Sequence, residues 1–233
     1  MTAARAVLRP FVWRYPEWWI WAVAAGAWLW LAVDGPGPAG HAHVHAKGGP
    51  GWATSVTATL AMTVAMMSPL AIPGARHVSL TSFWDRRHRS QAAFLAGYLG
   101  TWVAAAALLA LAVDAVARVA GDGAAVAMAF GVAATWQLAP AKRRALKRCR
   151  RTAALASAGW EATRDCIRYG AGSGGRCVVT CWGLMAGAAA AGHAVPVMAV
   201  VLALQIHERV ADDFDGRTSA AAVVALGAAT LVI

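Results

Sequence analysis

Residues 52–74 read Trp52-Ala-Thr-Ser-Val-Thr-Ala-Thr-Leu-Ala-Met62-Thr-Val-Ala-Met66-Met67-Ser-Pro69-Leu-Ala-Ile-Pro73-Gly74, with no charged side chain, between Lys47 and Arg76. A charge-free apolar run of this length can cross the hydrocarbon core of a bilayer as a helix. It also holds three of the chain's seven methionines. Met62 and Met66 are four apart, so on a helix their thioethers leave from one face, while Met67 points about 100° away. Thioether sulfur is a soft ligand suited to Cu(I). It is equally a flexible apolar filler, so the stripe by itself reads first as packing.

The rest of the chain extends the membrane reading. Of 233 residues, 59% are hydrophobic and 14% charged, and the mean hydropathy is +0.52. A soluble domain carries about a quarter charged residues. The net charge of +10 therefore points to basic cytoplasmic loops beside anionic lipid rather than to nucleic acid. Twelve tryptophans suit membrane–water interfaces. Cys149, Cys166, Cys177 and Cys181 fall mostly in or beside segments expected to be cytoplasmic, so they form no secreted disulfide framework.

Charge-free runs place the remaining spans. The expectation is a single all-α domain over residues 1–233, a polytopic transmembrane bundle of six to seven helices. The spans are residues 17–33, 52–74, 91–113, 123–139, 177–191, 195–209 and 218–233. The break between the fifth and sixth falls at Gly192-His193-Ala194-Val195-Pro196, a turn-forming stretch. Without that break the bundle has six helices. Residues 152–170 read as a cytoplasmic or interfacial helix, followed by a glycine loop over residues 170–175. Alternate loops are basic, most strongly Lys142 to Arg176, so the N-terminus is cytoplasmic. The implied location is the inner membrane of a bacterium. No repeat of halves is visible, unlike a standard secondary transporter.

Topology brings soft and polar groups to one depth. Met62 and Met66 lie in the inner half of the second span, and Cys177, Cys181 and Met185 in the first turns of the fifth. His207 and Glu208 end the sixth. Cys177 and Cys181 are i,i+4, so both thiols face one way, a spacing that suits two ligands to one ion and not a disulfide. A carboxylate such as Glu208 in hydrocarbon needs a partner or a function; His207 and Arg209 are the neighbours able to serve. Met62, Met66, Cys177, Cys181, Met185, His207 and Glu208 are thus the candidate metal ligands. Met67 and the outer loop residues His41, His43 and His45 are weaker candidates, the imidazoles being suited to collecting divalent ions without selectivity. The packing alternative stands beside this set, because small and sulfur-bearing residues are common in membrane helix contacts.

The same residues carry a resemblance to a family of bacterial membrane proteins known as predicted metal-binding integral membrane proteins of unknown function. It runs from about Trp52 to Arg209. The matching elements are Met62, Ala65, Met66, Met67 and Pro69; Gln137, Pro140, Lys142, Cys149 and Arg150; Cys177, Cys181, Trp182, Leu184 and Met185; and the acidic–basic pair Glu208-Arg209. Two family cysteines are replaced here, by Ala145 and Thr180, which removes soft ligands and argues against a thiolate-only site. The resemblance implies metal binding and names no reaction.

No phosphate-binding glycine loop and no nucleophile–base–acid set is recognisable, so no catalytic residues are assigned and the reading leans away from an enzyme. The expected function is metal handling in the membrane, with copper as the favoured ion, moved or delivered through a Met/Cys/His site to a membrane or periplasmic protein partner. The rival is a structural or assembly subunit of a larger membrane complex, with the same faces used for packing.

Overall fold

A computed structural model describes residues 14–33, 51–211 and 214–232, with side chains described from residue 56 onward in the second segment. The regular structure of the described residues is all-helical. Its elements are α1 (Trp18–Val33), α2 (Gly51–Thr81), α3 (Arg87–Ala120, entered through a 3-10 turn at Trp84–Arg86), α4 (Asp122–Leu138), α5 (Pro140–Cys149), α6 (Gly159–Ala190), α7 (Val195–Val210) and α8 (Gly216–Val232). The outer histidines His41, His43 and His45 lie outside the described residues.

The sequence count of six to seven spans is larger than the helices alone support. Among the described residues two segments are long and apolar enough to cross a membrane, Val56–Thr81 and Trp84–Ala120; α4 and α5, bent by 77° at Ala139, make a third if taken together. α1 and α8 are apolar but only 16 and 17 residues long, short of the roughly 20 that a perpendicular span needs. α6 has the length, 32 residues, but Glu161, Arg164, Asp165 and Arg168 fill its first turns. Charge-free runs mark apolar segments well; they do not measure whether a segment reaches across.

α6 is the central element and packs most extensively on α3. The expected glycine loop over residues 170–175 is instead part of α6. A Cβ at Gly170 would collide with the Phe94 carbonyl oxygen of α3, and one at Gly174 would stand 2.8 Å from the Tyr98 carbonyl oxygen. Small residues one turn apart let two helix backbones touch, as in small-xxx-small contacts. The glycines are contact surface, and that contact sets how close Tyr98 comes to Cys177.

The chain reverses at Gly192 (φ 74°) and His193 (φ 59°). The His193 N–H donates to the Ala188 carbonyl at 3.1 Å, closing the α6 C-terminus, and Pro196 opens α7 in the first turn where its missing N–H costs nothing. α7 thereby returns along α6 and brings its last turn back to the level of Cys177.

α2 keeps helical geometry through Pro69 and Pro73. Proline at position 69 cannot donate to the Ala65 carbonyl four residues back. The Trp28 indole N–H of α1 donates to that carbonyl at 3.1 Å. α1 is further tied by Trp19 to Gln91 of α3 at 2.8 Å and by Glu17 to Arg76 at 3.8 Å.

Candidate functional site

Four helices converge on Cys177. α6 presents Cys177 and Cys181 from one face, their sulfurs 4.0 Å apart; all four cysteines are free thiols. From α3 the Tyr98 hydroxyl donates to Cys177 Sγ at 3.0 Å. From α7 the Arg209 guanidinium donates to the same sulfur and, through its other nitrogen, to the Leu70 carbonyl of α2 at 3.0 Å. That carbonyl lies between the two prolines of α2. α5 adds Cys149, whose Sγ is 3.9 Å from Thr180 Oγ1. Thr180 Oγ1 is 3.4 Å from Cys181 Sγ. A short chain of polar and sulfur atoms thus runs Cys149, Thr180, Cys181, Cys177, Arg209.

The candidate ligands separate into three groups. Met62, Met66, Met67, Cys177, Cys181 and Met185 are all buried in one core cluster. Met67, expected to point elsewhere, is as buried as Met66. Met198 of α7 belongs to the same cluster, and no spacing argument singled it out. His207 is exposed and stands apart from the sulfurs. Glu208 is buried but turns to a different partner.

That partner is Lys142, from the run expected to lie on lipid. Lys142 Nζ is 2.7 Å from Glu208 Oε2, with side-chain exposures of 0% and 1%, and it also donates to Gln137 Oε1. Glu208 and Arg209, adjacent in sequence, therefore do not pair: one closes a buried ion pair with α5 and the other addresses the Cys177 sulfur. Gln205, one turn before, is fully buried with neither amide atom bonded.

A family model described as PpoB2, copper chaperone, matches residues 56–233. The chain belongs to the PpoB2 copper chaperone family. The match spans α2 to α8 and so includes every residue around Cys177. No curated protein and no solved structure matches the chain.

The residues around Cys177 fit a soft monovalent ion better than a hard or tetrahedral one. Among the described residues no three His, Cys, Asp or Glu side chains form a cluster able to hold a metal. Two thiols and several thioethers in one core are the donor set that selects Cu(I). Cys177 and Cys181, with sulfurs 4.0 Å apart, would supply two such donors, and Met62, Met66, Met67 and Met185 are buried in the same core cluster. Two thiolates on Cu(I) would carry one net negative charge, which the Arg209 guanidinium at Cys177 would offset. A buried charge without such a partner is costly.

Proposed function

We propose that this protein carries Cu(I) inside a membrane-embedded bundle and hands it to a membrane or periplasmic protein. Cys177 and Cys181 bind the ion, with Met62, Met66 and Met185 as the thioether donors nearest in role. Arg209 balances the charge, and the exposed His207 and the buried Glu208 act at the edge of the site rather than on the metal. The observation that carries this reading is the free Cys177–Cys181 pair, sulfurs 4.0 Å apart, with a guanidinium on one of them.

Membrane embedding is part of the proposal. α3 leaves Leu108, Leu111 and Val119 at 68%, 63% and 90% exposure, a surface suited to lipid tails and costly in water. In the proposed topology the shorter α1, α4, α7 and α8 and the second half of α6 also lie in the bilayer. The N-terminus and the basic α5 then face the anionic cytoplasmic leaflet of a bacterial inner membrane.

The test is Cu(I) stoichiometry of the detergent-purified protein against a chromophoric chelator. Wild type should retain Cu(I) that Cys177→Ser/Cys181→Ser loses, and Met62→Ala/Met66→Ala should bind more weakly. Equal trace copper in wild type and the double cysteine variant would sink the proposal and leave the packing role, that of a subunit in a larger complex.

A further inference from the structure

A cavity of about 410 Å³ lies against the other side of the Cys177 partners. Tyr98 and Arg209 stand in its wall, and each also touches Cys177. Cys149 lines it, as do the exposed Arg150 and Arg151. Three arginines and no acidic side chain face this space. The volume is that of an ordinary small-molecule site.

This charge pattern is wrong for a bare cation. Free Cu(I) approaching three guanidiniums is repelled, while an anion is drawn in. Cu(I) held by two small thiolates is such an anion. If the thiol also bears carboxylates, planar guanidinium groups bind them by paired hydrogen bonds. Cys149 then offers the first protein sulfur, and Thr180 links it to Cys181 through 3.9 and 3.4 Å separations.

Building on the copper reading above, we propose that this cavity is the loading vestibule of the protein: it takes Cu(I) as the anionic complex of a carboxylate-bearing small thiol, held by Arg150 and Arg151, and Cys149 receives the ion before Cys181 and Cys177. The exchange changes no oxidation state. In the first step Cys149 forms a Cu–S bond as one carrier–copper bond breaks, and the Cys149 proton leaves with the released carrier as a free thiol. In the second, Cys181 and Cys177 form two Cu–S bonds as the remaining carrier bond and the Cys149 bond break. One of their protons leaves with the second carrier thiol and the other returns to Cys149. The charge of the copper complex is minus one throughout, matching Arg209 at the final site.

The experiment follows Cu(I) loading of the detergent-purified full chain by stopped flow from two donors, Cu(I)–glutathione, rich in carboxylates, and Cu(I)–cysteamine, whose thiol carries an amine. Wild type should load at least about tenfold faster from the glutathione complex, the scale of electrostatic steering. Arg151→Gln should erode that preference and Arg150→Gln/Arg151→Gln should abolish it. Cys149→Ser should slow loading several-fold from either donor with unchanged final stoichiometry. Arg151 is exposed, so its single variant keeps the test open if the double variant folds poorly. Unchanged donor preference in both arginine variants, or wild-type loading by Cys149→Ser, overturns the vestibule and leaves the Cys177–Cys181 site standing. Failure of wild type to load from any donor overturns both.

Discussion

Lys142 and Glu208, 66 positions apart in sequence, form an ion pair 2.7 Å long with both side chains removed from solvent. Lys142 opens a run of seven Lys and Arg residues within ten positions, Lys142 to Arg151, and is the member of that run that turns inward. Burying two charges is expensive, and the return comes only with good geometry and further hydrogen bonds. Gln137 supplies one of these to Lys142. The pair fixes α5 against the end of α7, the same turn that carries Arg209 to Cys177.

The first prediction follows from that arrangement. Lys142→Met leaves Glu208 as an uncompensated buried carboxylate, and Glu208→Leu leaves Lys142 as an uncompensated buried cation. Each should cost about 3–5 kcal/mol, whereas Lys142→Met/Glu208→Leu together should recover most of the loss. Thermal midpoints of the four proteins in one detergent check it. Additive losses in the double variant would mean that the two residues do not act as a pair.

Arg209 should separate copper affinity from fold. Arg209→Gln removes the cation beside Cys177 and keeps a hydrogen-bonding amide. A hydrogen bond to a charged group contributes about 1.5–3 kcal/mol, so Cu(I) affinity should fall by about one to two orders of magnitude. Arg209→Lys, retaining charge without the two-pronged reach to Leu70, should fall between. Chelator competition reads the affinities. An Arg209→Gln protein with wild-type affinity would remove Arg209 from the charge balance of the site.

The glycines of α6 give opposite outcomes two turns or less apart. At Gly170 an added methyl meets the α3 backbone at the Phe94 carbonyl, while at Gly175 it meets nothing within 4 Å. Gly175→Ala should stabilise α6 by about 0.5–1 kcal/mol, since glycine is the poorer helix former. Gly170→Ala should destabilise, because neither backbone can yield without moving the whole helix. It should also weaken Cu(I) binding, through displacement of Tyr98. Thermal unfolding and chelator competition on both variants check this; a stabilising Gly170→Ala would contradict the close α3–α6 crossing.

Those glycines also show where sequence reading stops. Helical character, the sulfur positions on α2 and α6, and the Gly192–His193 reversal were legible, because hydropathy, i,i+4 spacing and turn chemistry are local. The stretch over residues 170–175, with four glycines, reads as a loop because composition cannot tell a flexible segment from one flattened for helix contact. In the sequence Glu208 needs a partner, and only its neighbours are on offer. The true partner, Lys142, was concealed inside a charge run whose other members explain themselves as lipid- or water-facing. In the sequence Arg209 reads as half of an ion pair, and its placement on Cys177 depends on the return of α7 along α6, which no short-range pattern encodes.

The Trp28 indole bond to the Ala65 carbonyl at 3.1 Å exists because Pro69 leaves that carbonyl without its helical donor. Trp28→Phe keeps the ring and removes the N–H, so it should cost about 1 kcal/mol, the ordinary net worth of a hydrogen bond, and more if the carbonyl is left dry. Pro69→Ala restores a backbone donor to Ala65 in the same turn as Met66 and Met67. In that background Trp28→Phe should cost little, and the coupling energy of the cycle, about 1 kcal/mol, measures how far α1 stands in for the missing amide. Zero coupling would mean that α1 is held to α2 by apolar contact alone. Nonzero coupling makes Pro69 the reason that a helix outside the copper chaperone match is nevertheless fastened to the methionine segment.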